Sequence, residues 1–157
     1  MSAAEPLVTP EIRRMDEADL DAVLRIERAS FSTPWSRNSF LNLLRRSDTD
    51  LWVAEIDGAV VGHAVLWYVG FEGELGNLAV APDWRRHGLG SYLLDWALEG
   101  TRRRDIDTVF LEVRVSNRAA QDLYERRGFR RVGVRRRYYR EPVEDALVMG
   151  IDLDPRP

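Results

Sequence analysis

Asp57-Gly58 stands between two long apolar runs, residues 51–56 and 59–69. An Asp-Gly pair adopts the left-handed backbone that matches the twist of paired strands, so the segment predicts a β-hairpin. A further strand over 72–80 ends before Pro82. Nearly thirty residues in the middle of the chain are thereby committed to a sheet. The rest must cover that sheet with helices. The chain has 157 residues, room for one ordinary domain and not two. Hydrophobic residues make up 45%, enough for a sizeable core.

The flanking segments fit this plan. A short strand is predicted at 12–15. Asp16 then caps a helix, with Asp19 three residues on and Leu20, Val23 and Leu24 on one face. Ser32-Thr33-Pro34-Trp35-Ser36 breaks that helix, and Ser36 caps a second carrying Phe40, Leu41, Leu43 and Leu44. Gly88 opens a helix with Leu89, Leu93, Trp96 and Ala97 at helical spacing. A strand at 108–113 follows. Ser116 or Asn117 caps a short helix ending at Gly128, a left-handed C-cap. Strands at 129–134 and 145–151 close the chain. The expectation is an α/β (mixed α+β) domain over 11–153, with a central mixed sheet of about seven strands and helices on both faces. Tails of 1–10 and 154–157 flank it. The first ten residues lack a basic start and an apolar block, so no signal peptide is visible. The longest apolar stretch, 59–71, is interrupted by Gly62, His63 and Gly70, and a membrane span needs about 20 residues. The reading is a soluble, cytoplasmic protein with no membrane partner.

Composition narrows the chemistry. There is no Cys, which excludes disulfides, thiolate metal sites and a Cys nucleophile. All 23 basic residues are Arg, so neither a Schiff base nor a phosphate-binding P-loop Lys is available. His63 and His87 are the two histidines, and no metal site is expected. His63 lies in an apolar strand and reads as structural, His87 as solvent-facing in a loop. Catalysis must rest on carboxylates, Tyr hydroxyls, backbone amides and Arg. Residues 126–140 hold eight Arg and no acid, leaving 15 Arg against 26 acids elsewhere. That asymmetry fits either an anionic partner such as phosphate or a solvated face balanced by acidic neighbours.

The sharpest local feature is Arg85-Arg86-His87-Gly88-Leu89-Gly90-Ser91, between a strand and a helix. Two glycines let backbone approach a ligand closely, and the free N–H groups of a helix start suit a pyrophosphate. A tight strand–helix turn accounts for the same spacing. It is not a dinucleotide fingerprint, because the third Gly is missing.

The segment from Asn77 to Gly90, Asn77-Leu78-Ala79-Val80-Ala81-Pro82-Asp83-Trp84-Arg85-Arg86-His87-Gly88-Leu89-Gly90, resembles the acetyl-CoA motif of the GNAT N-acetyltransferases, Q/R-x-x-G-x-G/A. Leu111-Glu112-Val113-Arg114-Val115-Ser116-Asn117 and Ala120-Gln121-Asp122-Leu123-Tyr124-Glu125-Arg126-Arg127-Gly128-Phe129 resemble the ribosomal-protein-alanine (RimI-type) branch of that superfamily. Phe31-Ser32-Thr33-Pro34-Trp35-Ser36 and Arg137-Tyr138-Tyr139 with Glu144-Asp145-Ala146 are similar to it as well. The resemblance covers nearly the whole chain in order.

The resemblance implies acetyl-CoA as cosubstrate and roles for matching positions. Leu78, Ala79 and Val80 would pair through their backbone with the pantetheine arm. Arg86, His87, Gly88, Leu89, Gly90 and Ser91 would cradle the pyrophosphate, and Asn117 would hydrogen-bond the cosubstrate. Glu112 resembles the family's proton acceptor and Tyr124 its proton donor. Trp35, Tyr138 and Tyr139 would wall a peptide slot, with Glu141, Glu144 and Asp145 near its mouth. Where many relatives carry an Asp/Asn/Gly turn after the Tyr pair, this chain has Arg140-Glu141-Pro142-Val143.

The chemistry suits these residue types. An α-amine has a pKa of ~8 and Lys ~10.4, so an N-terminus supplies far more neutral amine near pH 7. A carboxylate accepts the remaining proton, directly or through water. A Tyr hydroxyl, at ~10, stays protonated and can serve the departing thiolate. Without Cys, direct transfer is expected. Read from the residues alone, Glu112 also fits a water-facing strand residue, Tyr124 a core aromatic, Asn117 a plain helix cap, and Trp35 with the Tyr pair packing aromatics. Three functions follow: acetyl transfer to a protein N-terminus, expected to be the Ala of a small-subunit ribosomal protein; acetyl transfer to a small amine or Lys side chain; or a non-catalytic module binding RNA through residues 126–140 and the Tyr pair.

Overall fold

The Asp57-Gly58 pair does form the hairpin, with φ of 50° and 80° at its two residues. It joins β2 (Thr49–Ile56) to β3 (Ala59–Val69) in a computed structural model that describes residues 8–153. The expected tails lie, for residues 1–7 and 154–157, outside the described residues. Before the hairpin come β1 (Glu11–Arg14), α1 (Leu20–Ser30) and α2 (Arg37–Leu44). After it come β4 (Glu72–Val80), α3 (Leu89–Arg102), β5 (Thr108–Arg114), α4 (Arg118–Arg126), β6 (Arg130–Tyr139) and β7 (Glu144–Asp152). One seven-stranded sheet runs β1-β2-β3-β4-β5-β7-β6. Every pairing is antiparallel except β4 with β5, which α3 connects as a crossover.

The caps read from sequence are in place. Asp16 Oδ1 accepts the Ala18 N–H at 2.8 Å, and Asp19 Oδ2 accepts the Asp16 N–H at 2.8 Å. These open a short 3-10 turn, Glu17–Asp19, that leads into α1. Ser36 Oγ accepts the Ser39 N–H at the start of α2 (3.2 Å). Of the two candidates at α4, Asn117 is the cap. All three caps satisfy amides that have no partner inside the helix.

Period-two alternation explains why β2 and β3 read as nearly continuous apolar runs. Leu51, Val53 and Val65 face α1 and α2, against Leu20, Val23, Leu24 and Phe40. Trp52, Ala54, Ala64 and Leu66 face the other way, onto Leu89, Leu93, Leu94 and Ala97 of α3. Strands covered on both faces carry no polar alternation.

One strand is longer than its pattern predicts. β6 runs to Tyr139, where the alternation ends at Val134. Its last part is arginine-rich and exposed, so no apolar signal marks it. It still pairs with β7, Arg135 opposite Ala146 and Tyr139 opposite Glu144, with a register irregularity between. At that irregularity Arg137 has φ of 52°, and its N–H is held by Asp145 Oδ1 at 2.8 Å.

The parallel ladder of β4 and β5 covers only Glu72↔Thr108 to Leu75↔Leu111. The next residue, Gly76, is a bulge: Leu66 pairs Leu75 and Val65 pairs Asn77, leaving Gly76 without an opposite number. Beyond it, β4 stays bonded to β3 but has no strand on its other side. A Cβ on Gly76 would lie 2.3 Å and 2.6 Å from Trp67 ring carbons and 2.8 Å from Trp35. The bulge is thus the seat of two indoles whose centroids are 5.9 Å apart. Gly76→Ala should overpack this seat by about 1–3 kcal/mol and lower the melting temperature by about 3–10 °C in a thermal scan. An unchanged melting temperature would show that the indoles move aside freely.

Candidate active site

Where β4 and β5 part, the structure holds a cleft of about 390 Å³. Trp35, Leu78, Glu112, Asn117, Tyr124, Tyr138 and Tyr139, widely spaced in sequence, all line it. Glu74, which the sequence reading did not single out, lines it too. The remaining predicted positions lie outside this cavity. Ala79 and Val80 continue the free edge of β4, and Arg86 to Ser91 form the turn into α3. In that turn Gly88 has φ of 80° and caps the helix, a backbone state that favours glycine. Arg86 is also left-handed, at φ 65°. The predicted members differ in character. Leu89 is a core side chain, 2% exposed, so only its backbone faces a ligand. Gly90 is helical, and a Cβ there would meet Leu123 and Val80 at ordinary contact distances. His87, read as solvent-facing, is half-buried: its ring packs on Trp84 and its Nδ1 lies 2.7 Å from the Arg85 carbonyl.

Glu112 lies on the same sheet face as Glu74, because Glu74 is level with Phe110 on the neighbouring strand and Glu112 is two residues further. Its side chain is only 11% exposed, and Oε1 sits 3.3 Å from Arg135 Nε. Burial, then a hydrogen bond and the like charge of Glu74, push its pKa up to about 7, against the opposing pull of Arg135. Glu74 Oε2 accepts the Trp67 indole N–H at 2.8 Å. Tyr124 is buried beside Phe129, centroids 5.6 Å apart, and burial alone raises its pKa above the ordinary phenol value. Its hydroxyl is therefore protonated across the working range. Asn117 Oδ1 is committed to the Ala120 N–H (3.1 Å), leaving its amide N–H groups for another partner.

Two polar hubs fix the walls. Glu27, fully buried on α1, places Oε1 at 2.8 Å from His63 Nε2 and 2.7 Å from Asn77 Nδ2, and Oε2 accepts the Trp35 N–H at 3.2 Å. One carboxylate thus ties the Pro34-Trp35 turn to β3 and to the bulged stretch of β4, and the structural reading of His63 holds. Across the cleft, Arg114 donates to the Arg140 and Pro142 carbonyls (2.9 and 3.0 Å) and to Ser32 Oγ (2.9 Å). Its guanidinium lies 4.5 Å from the Tyr139 ring centroid.

The charged groups around the mouth are largely engaged with one another. Glu144 does not stand free at the mouth: it is paired with Arg114 (3.2 Å) and accepts the Ser116 N–H (2.7 Å). Asp145 is likewise engaged, with the Arg137 N–H. The arginine-rich stretch is also partly neutralised, through Arg127–Asp95, Arg130–Asp152, Arg131–Glu125 and Arg135–Glu112. Half of its eight arginines balance acidic neighbours. Among the described residues no cluster of His, Cys, Asp or Glu could hold a metal ion, and no helix is long and apolar enough to cross a membrane.

Comparison with known proteins agrees with this geometry. Residues 20–129 match the acetyltransferase (GNAT) family. The chain is 34% identical over 144 residues to the [ribosomal protein bS18]-alanine N-acetyltransferase of Escherichia coli (strain K12), covering 90% of this chain and 97% of the relative. It is 37% identical over 144 residues to a Bacillus subtilis (strain 168) protein provisionally named for the same activity, covering 91% and 95%. The crystal structure of the ribosomal-protein-S18-alanine N-acetyltransferase from Escherichia coli superposes with a TM-score of 0.87 at 32% identity, covering 95% of this chain and 97% of that one. A seven-stranded sheet split between β4 and β5, a left-handed glycine at the start of α3 and a match across residues 20–129 lead to one conclusion: the chain belongs to the GNAT acetyltransferase family.

Proposed function

We propose that this protein transfers an acetyl group from acetyl-CoA directly to the N-terminal α-amine of a protein, and that its acceptor is the N-terminal Ala of ribosomal protein bS18. The observation that carries the reading is a single cleft that combines a carboxylate near neutrality, a buried phenol and two aromatic walls. The relatives named for that acceptor, similar over nine-tenths of the chain, support the choice of substrate. An acceptor carried by the ribosome implies a cytoplasmic enzyme.

The free edge of β4 and the left-handed Gly88 fit an extended, phosphate-bearing ligand. Leu78, Ala79 and Val80 would hold its pantetheine arm by backbone hydrogen bonds, as an added strand is held. Arg86 to Ser91 would offer N–H groups and the positive end of α3 to the pyrophosphate, and the Asn117 amide a further donor. Acetyl-CoA supplies an acyl group already activated as a thioester. The chain supplies proton handling and placement. Glu112, with its pKa about 7, takes a proton from the amine at a carboxylate oxygen. Tyr124 Oη holds its proton until the departing sulfur needs one. Trp35, Tyr138 and Tyr139 orient the first residue and exclude water. Two aromatic walls admit a small residue end-on more readily than a Lys side chain whose backbone must stay outside. Partial neutralisation of residues 126–140 weighs against the RNA-binding alternative.

Saturating acetyl-CoA, at about 100 times its Kd, should raise the melting temperature by about 5–10 °C. Gly88→Val should abolish the shift, since a β-branched residue opposes the left-handed cap. No shift with the wild type would remove the transferase reading. Tyr124→Phe should leave acetyl-CoA affinity intact and lower kcat by ~10²–10⁴-fold, measured where chemistry limits the rate. An unchanged kcat would make Tyr124 a packing residue. A peptide with a free N-terminal Ala should be acetylated far faster, by mass spectrometry, than the same peptide blocked at its N-terminus and carrying an internal Lys. Equal rates would overturn the acceptor assignment and leave the family intact.

A further inference from the structure

Period two puts Val65, Trp67 and Val69 on one face of β3, the face that α1 and α2 cover. The cover gives out along the strand: Val65 is fully buried, Trp67 half-buried and Val69 74% exposed. Beyond it the same face of the next strands lies open. Glu72 and Glu74 on β4, Phe110 and Glu112 on β5, Val148 on β7 and Arg135 on β6 line a second groove there, of about 380 Å³. Phe110 and Val148, its apolar floor, are half-buried and belong to neither core. Phe110 lies low because its cross-strand neighbour is Gly150, where a Cβ would come within 3.0 Å of the ring. The far end opens at the β3–β4 turn, where Phe71, next in the chain to Glu72, is 69% exposed. Large apolar side chains left exposed together mark contact surfaces.

This groove continues the cleft, since Trp67, Glu74 and Glu112 line both. A polypeptide whose amine lies at the Glu112 end can therefore run on over the floor. From Glu74 to Glu72 is two residues of strand, about 7 Å, and an extended chain covers that distance with two residues of its own. Charge gives the occupant its character. Among the described residues that line the groove, Arg135 is the one cation, and Glu112 takes it at 3.3 Å. Glu74 Oε2 accepts the Trp67 indole N–H. The Glu72 carboxylate is exposed and has no hydrogen-bond or ion-pair partner among the described residues. Resting on the acceptor reading above, we propose that the groove is the docking surface for the acceptor chain beyond its acetylated end, and that Glu72 selects a basic side chain at the second or third residue of that chain. The aromatic walls judge the first residue, and the open sheet face reads those that follow.

The test is a charge swap. Three peptides with a free N-terminal Ala, identical except for Arg-Arg, Gln-Gln or Glu-Glu at their second and third residues, are compared at saturating acetyl-CoA with the wild type, Glu72→Gln and Glu72→Lys. With the wild type, KM for the Arg peptide should lie about fivefold below that for the Gln peptide, the size of a partly exposed ion pair, and KM for the Glu peptide above both. The difference should fade in 1 M salt, where charges are screened within about 3 Å. E72Q should flatten the order. E72K should reverse it, raising KM for the Arg peptide and lowering it for the Glu peptide. Movement in opposite directions does not come from a damaged fold, which weakens all three peptides alike. If E72K does not fold, E72Q decides, because an Arg preference that survives in it overturns the proposal. A wild type indifferent to the second and third residues, or an order that E72K leaves unreversed, also overturns the groove and keeps the acceptor reading, the chain then leaving the cleft for solvent. A wild type that binds acetyl-CoA and acetylates none of the three peptides removes the acceptor reading and the groove with it.

Discussion

The brevity of the β4–β5 ladder is the constraint on which the rest depends. Parallel pairing lasts for four residues on each strand and then stops at a bulge. The bulge has to be glycine because two indoles occupy the space of its side chain. Past it, one edge of β4 is saturated by β3 and the other has no strand against it, so its backbone groups must find solvent, a side chain or a ligand, as the Val80 carbonyl does with Arg85 Nε at 3.1 Å. The left-handed turn into α3 continues the same line. A cleft, a strand edge and a helix start are therefore consequences of one interrupted ladder.

The walls of that cleft are secured by charge as well as by apolar contact. Glu27 has no solvent, yet three donors or ring nitrogens from three elements converge on it. Removing one partner of such a buried group leaves a polar atom unsatisfied, at a cost of about 1–3 kcal/mol, so the Trp35 turn is held firmly in register with β4. Arg114 does the same for the opposite wall, where it gathers two carbonyls of the β6–β7 turn and reaches Ser32. A slot held on both sides before substrate arrives loses less entropy when it binds.

Inside the slot the same physics gives two groups complementary protonation states. Burial raises both pKa values, but with opposite usefulness. It brings Glu112 up to about 7, where a carboxyl can exchange protons with an amine, and takes Tyr124 further from ionisation, where a phenol only donates. Glu74 reinforces the first effect, and Arg135 limits it.

Much of the fold was legible locally. Asp57-Gly58, the caps at Asp16 and Ser36, the choice of Ser116 or Asn117 at α4, and the left-handed Gly128 each state their conformation through side-chain chemistry or its lack. The far end of β6 was not legible, because an exposed arginine-rich edge strand carries no hydrophobic period. Motif likeness, rather than periodicity, pointed to Glu112 and Tyr124. Glu74 had neither signal: it is one of several acids in a strand, and its meaning comes from a parallel register that brings it level with residues nearly forty positions away. Glu27 was equally silent, an acid on a helix whose burial depends on β3 and β4 arriving beneath it. Glu144 and Asp145 show the converse, since acids that look free in sequence find partners only once β5, β6 and β7 are side by side. The sequence by itself determined where strands, caps and turns form, because those depend on near neighbours and one residue's backbone preference. Only the tertiary structure decided which carboxylates are paired or buried, because charge interactions act through space between strands whose order the chain does not spell out.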